Sequence, residues 1–217
     1  MTLQNRVDPS GRLHAVSARG ALLGNRGLLH DHDGQVVRQW QRKAWVTCEL
    51  RFTGRKRQVF GPNSYSELFF LDEATALSAG HRPCASCRRD RYTEFKTNWL
   101  AANASGVASS NVASIDELLH RERVSPNGAK VTFASFVSTL PIGTFIELEG
   151  QPFLVWREGL MRWSFEGYLP VISALSPMAQ VRVLTPTSVV ASFSRGFLPE
   201  VHPSANCKAP AGATPRP

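Results

Sequence analysis

Long apolar runs are missing from this chain. Nowhere do eighteen or more hydrophobic residues follow one another, and Met1 to Arg12 has no apolar stretch of the kind a signal peptide needs. A membrane-spanning helix is therefore not expected, and the reading is of a soluble, cytoplasmic protein with no membrane partner. Cysteine is scarce as well, four in 217 residues. In a reducing compartment so few thiols, two of them spaced as Cys84-X-X-Cys87, point to a metal site or free thiols rather than a disulfide framework. Acidic residues are outnumbered, 17 against 25 Lys and Arg, for a formal net charge of +8. Internal repeats are absent. Gly20, Gly24 and Gly27 lack the lysine and strand context of a phosphate-binding loop or a dinucleotide fingerprint.

The basic excess is unevenly placed. Residues 1–130 carry 19 Lys and Arg against 12 Asp and Glu, while residues 131–217 carry 6 against 5. Most of these cations are arginines, whose planar forks suit phosphate oxygens, so nucleic acid (DNA first) or another polyanion is the expected partner. The candidate phosphate-binding residues are Arg55, Lys56 and Arg57 in a basic turn, Arg88, Arg89 and Arg91 beyond the cysteine pair, and Arg19 and Arg26 in a glycine-punctuated N-terminal segment. The bland alternative is a solvated basic surface with no partner.

Around the cysteine pair the local signals agree. Leu68 to Leu71 is an apolar strand, a short helix starts at Asp72, Gly80 stops it, and Pro83 stiffens the turn that presents Cys84 and Cys87. Two thiolates at this spacing can grip one zinc ion. Upstream, Trp45 to Phe52 alternates as a half-buried strand with Cys48 among its apolar positions, and Gln58 to Phe60 is a possible return strand after the basic turn. Cys48 is either a third zinc ligand or a small core residue. His30 and His32, set among Asp31 and Asp33, are the candidates for the fourth ligand, against the alternative of an exposed polar turn. His81 reads as packing rather than ligation.

Strand, Ala-rich helix and Ala79-Gly80-His81-Arg82-Pro83-Cys84-Ala85-Ser86-Cys87 together resemble the second half of the Ada-type zinc-binding domain and related small Arg-Pro-Cys-X-X-Cys zinc modules, over about residues 67–89. The resemblance implies a zinc-bearing fold and DNA as partner. Ada-type domains carry a second cysteine pair upstream; here Cys48 stands alone, with Phe52 four positions on, so methyl transfer is not implied.

Beyond the pair, Arg88 to Ala102 and a segment from Ser114, with Glu117 as capping-box partner, read as amphipathic helices. Thr144 to Leu148, Pro152 to Arg157 and Leu160 to Phe165 alternate and are joined by Glu-Gly turns, the pattern of an antiparallel β-meander. Its aromatics, Trp156, Trp163, Phe165 and Tyr168, are core or a base-stacking face. The expected fold class is α+β: an Ada-like zinc module (β-hairpin, helices, cysteine knuckle) over residues 41–125 after an irregular segment 1–40, then a β-meander or barrel-like part over 130–200 and a disordered tail, 203–217. The leading functional reading is a zinc-stabilised nucleic-acid-binding protein, associated with DNA repair or processing. A metal-dependent nuclease using His30, His32 and their aspartates, and a structural zinc module for protein contact, are the alternatives. A zinc deaminase is disfavoured, because the only His-X-Glu, His120-Arg121-Glu122, lies downstream of the cysteine pair.

Overall fold

The computed structural model describes residues 2–52, 59–61, 64–106, 109–157, 159–171 and 175–206. Among these, the chain is mixed α+β, with two six-stranded sheets and four α-helices. The first sheet contains β1 (Arg6–Val7), β2 (Leu13–His14), β3 (Leu22–Asn25), β4 (Val46–Glu49), β5 (Leu68–Phe70) and β6 (Arg82–Pro83), in the order β2-β1-β5-β3-β4-β6. The first forty residues, expected to be irregular, thus supply three strands. These strands are two to four residues long, too short for alternation to register in the sequence, and tertiary pairing holds them.

β4 does not form the expected hairpin with the segment at 58–60. It pairs antiparallel with β3, Leu23 opposite Cys48, and parallel with β6, Thr47 opposite Pro83. Val59 and Phe60 lie in a turn, and Gln58 is outside the described residues. Between β5 and β6 runs helix α1 (Glu73–Ser78), whose N-cap Asp72 accepts the Thr75 amide at 2.8 Å. Gly80 follows at φ +84°, the left-handed value that ends the helix and turns the chain into β6.

Two longer helices follow. α2 (Arg89–Asn103) buries Phe95 and Trp99, and α3 (Val112–Arg123) buries Ile115 and Leu119. α3 begins two residues before the expected Ser114. Asn111 is its N-cap, accepting the Ser114 amide at 2.8 Å, while Glu117 pairs with Lys43 instead of closing a capping box.

The second sheet holds β7 (Phe133–Phe136), β8 (Phe145–Leu148), β9 (Gln151–Trp156), β10 (Gly159–Ser164), β11 (Gly167–Val171) and β12 (Gln180–Val183), ordered β11-β10-β9-β8-β12-β7 and antiparallel throughout. The meander is present as its alternation and the Glu149-Gly150 turn predict; Glu158, in the other expected turn, lies outside the described residues. Trp156, Trp163 and Tyr168 are core, with Phe165 packed against them. That core also takes in Leu71 and Ala74 from the first part of the chain. Likewise Val189 and Phe193 of α4 (Thr187–Phe193), with Phe197, pack on Leu77, Phe95, Trp99 and Ile115. The boundary expected near residues 125–130 therefore does not separate the hydrophobic cores. The expected tail begins with a 3₁₀ turn, Pro203–Asn206, that buries Ala205; residues 207–217 are outside the described set.

Candidate metal centre

Register brings the three cysteines together. Parallel pairing of β4 with β6 continues one step further through the Cys84 amide, which donates to the Thr47 carbonyl at 2.9 Å, and so sets Cys48 beside the knuckle. The sulfurs of Cys48, Cys84 and Cys87 all lie within 4.8 Å of one another. Sulfurs sharing a tetrahedral zinc at roughly 2.3 Å bonds stand about 4 Å apart, so the spacing suits one metal ion. Cys48 is consequently not a core residue. In β4 it is Thr47 that is buried, whereas Cys48 and Val46 line a cavity.

The electrostatics of the trio fit a cation. Cys84 is drawn down to about 4, first by the hydrogen bond from Cys48 and further by the backbone amides of Cys87 and Ser86, the latter 3.4 Å from Sγ. Cys48 is pushed up, chiefly by that same hydrogen bond, and Cys87 is pushed up by burial. Three thiols this close oppose one another's ionisation when alone. A cation joining them relieves that opposition, and metal coordination takes cysteines as thiolates. The amide donors that steady Cys84 are of the kind that would orient a thiolate toward a metal.

Neither histidine joins the sulfurs. His30 is buried, its Nδ1 2.6 Å from Ser66 Oγ, with its ring stacked on Phe60 at 4.3 Å. His32 is 89% exposed at the side chain and sits 3.3 Å from Asp33. Asp31 Oδ1 accepts the amides of Asp33 and Gln35, closing a polar turn. His81 is buried, as its packing role required, and takes a hydrogen bond from Arg26.

The cavity beside the cysteines has a volume of about 360 Å³, and its walls include Cys48, Cys84, Cys87, Glu49, Phe52 and Glu67. Glu67 is buried; its Oε2 accepts the Phe60 amide at 2.8 Å, and its Oε1 has no partner among the described residues. Glu67 was not singled out in the sequence, since only the pairing of β3 with β4 and β5 brings it near Cys48. Glu49 carried a signal, being the next residue after Cys48 on the same strand.

The basic residues separate into three groups. Arg88 is buried, and its guanidinium pairs with Glu49 at 3.1 Å, Glu73 at 3.0 Å and Glu200 at 2.8 Å. Arg91 pairs with Glu73 and Glu94 and lies over the Phe197 ring. Arg26 is buried over Trp45. These three are engaged inside the protein and do not form an outer phosphate-tracking face. Arg19 and Arg89 are exposed, whereas Arg55, Lys56 and Arg57 lie outside the described residues.

Comparisons with protein-family models, with curated proteins and with solved structures find no match. Among the described residues, no helix is long and apolar enough to cross a membrane.

Proposed function

We propose that this is a zinc-binding protein in which Cys48, Cys84 and Cys87 hold the metal, and that its exposed basic side chains bind nucleic acid. The observation that carries the zinc reading is the convergence of three sulfurs from β4 and from the turn between β6 and α2. A thiolate-rich site selects zinc over the harder calcium or magnesium. The metal would tie β4, β6 and the start of α2 into one unit. The resemblance of residues 67–89 to Ada-type zinc modules supports the same reading, as does the net charge of +8 for the polyanion partner.

The nucleic-acid arm is tested by retention of duplex and single-stranded DNA and RNA over a range of salt. The expected result is affinity falling linearly in log salt, with Arg19→Glu and Arg89→Glu weakening all sequences alike and flattening the slope. Absence of retention at low salt removes nucleic acid and leaves a zinc module for protein contact.

A second reading is a hydrolytic metal centre, and one observation favours it. The described residues supply three ligands, and Glu67 lines the adjoining cavity with an unpaired carboxylate oxygen. Zinc with an open position activates bound water, and a neighbouring carboxylate can take its proton. Degradation of DNA or RNA by the zinc-loaded chain, abolished in Glu67→Gln, is the result this reading requires.

A further inference from the structure

A second cavity, of about 380 Å³, shares no lining residue with the cavity at the cysteines. Arg12, Arg26, Arg123 and Lys130 are in its walls. Arg26 is 2% exposed. Its Nη1 donates to the Gly11 carbonyl at 3.0 Å and its Nε to His81 Nε2 at 3.1 Å, while Nη2 has no partner among the described residues. Arg123, also 2% exposed, donates from Nη1 to the Gly80 carbonyl at 2.8 Å and from Nη2 to the Lys43 carbonyl; its Nε is unpartnered. Both guanidiniums lie over the Trp45 ring, at 4.1 and 4.0 Å from its centre. Lys130 Nζ donates to the Ser78 carbonyl at 2.6 Å.

The acceptors are neutral. Carbonyls, an imidazole and an indole face hold the cations in place but leave their charge uncompensated, which is costly in the interior. Burial accordingly pulls Lys130 down to about 7, and Arg26 and Arg123 down to about 9. Two carboxylates act on the cluster. Asp8, which acts on Arg26 and Lys130, already accepts His14 Nε2 at 2.8 Å and the Arg12 amide at 3.0 Å. Asp116, which acts on Arg123, is taken by Arg82 in a two-point pair at 2.7 and 2.8 Å. Gly11, at φ +86°, has no side chain beside Arg26 Nη2, which a Cβ there would approach to 3.5 Å.

We propose that this cavity is an oxyanion site that receives the phosphate of a phosphate monoester. Fixed guanidinium donors with free N–H groups match phosphate oxygens, and a doubly charged anion supplies the missing counter-charge. The volume exceeds that of a tetrahedral oxyanion and leaves room for part of the ester. The site needs no metal and is independent of the zinc reading. A small phosphorylated metabolite and the 5′-phosphorylated end of a nucleic acid present the same group.

Calorimetric titration of the full chain with inorganic phosphate, in phosphate-free buffer of low ionic strength, is the test. Saturable binding is expected, about tenfold weaker in Arg12→Ala and in Lys130→Met. Arg12 is exposed, so Arg12→Ala keeps the test sound if the interior variant does not fold. Displacement of phosphate by a 5′-phosphorylated oligonucleotide but not by its 5′-hydroxyl twin identifies the nucleic-acid end as the source. Displacement by a nucleoside monophosphate alone identifies a small ester. No saturable phosphate binding, or binding that Arg12→Ala and any folded Lys130→Met leave intact, overturns the proposal.

Discussion

Arg88 and Glu73 form an ion pair at 3.0 Å with both side chains almost wholly buried, 2% and 1% exposed. Arg88 directly follows the cysteine knuckle, and Glu73 opens α1, so the pair clamps the helix before the knuckle to the chain that leaves it. Thr47 Oγ1, one residue from Cys48, accepts from the same guanidinium at 3.2 Å. Removing Arg88 takes from buried Glu73 one of its two cations, leaving Arg91, and strips Thr47 Oγ1 of its donor. Arg88→Ala is therefore expected to cost about 2–4 kcal/mol in denaturant unfolding, against about 0.5 kcal/mol or less for exposed Arg89→Ala. Equal, small effects would show that Arg88 is not a structural hub.

The start of α3 offers a local check. Asn111→Ala should cost about 1 kcal/mol, the usual loss when a side-chain cap is removed. Ser114→Ala should be close to neutral, because Ser114 contributes its backbone amide to the cap. A larger loss at Ser114 would restore the capping-box start that the sequence suggested.

Lys130 gives a pH prediction with a definite sign. Its folded pKa is lowered from 10.5 to about 7, by burial first, with Arg26 and Arg123 acting in the same direction and Asp8 against them. Between those values the unfolded chain binds a proton that the folded chain lacks, so the stability contributed by this group rises with pH across about 7 to 10.5. Below pH 7 the penalty of the buried cation is present in full. Lys130→Met should accordingly gain most over the parent near pH 6, with the gain shrinking towards pH 10. The unfolding midpoints of both proteins, followed against pH without phosphate, check this; a gain that does not vary with pH contradicts it.

How much the sequence disclosed depended on distance along the chain. The knuckle was legible because Cys84, Cys87, Pro83 and Gly80 act within a few residues of one another. The meander was legible because Glu149 and Gly150, both at positive φ, make the turn between two alternating strands. Cys48 as a ligand was left open by the sequence and depends on the pairing of β4 with β6, 36 residues apart at Val46 and Arg82. The arginines misled for a physical reason. A charge count registers Arg88 as a free cation, yet its partner Glu200 is 112 residues away. His30 in turn is occupied by Ser66, 36 residues away. Of the cavity formed by Arg26, Arg123 and Lys130 the sequence marked only Arg26, as a phosphate-binding candidate, since the cations come from distant segments.

The three-sulfur metal centre is tested most directly by quantifying zinc in the purified chain and in its single Cys48→Ser, Cys84→Ser and Cys87→Ser variants. About one zinc per parent chain is predicted, lost or strongly reduced in every variant, with a fall in thermal stability as the metal leaves. A parent chain that carries no zinc and takes up none when it is supplied, or a Cys48→Ser variant that keeps the full load, contradicts a site built from all three cysteines.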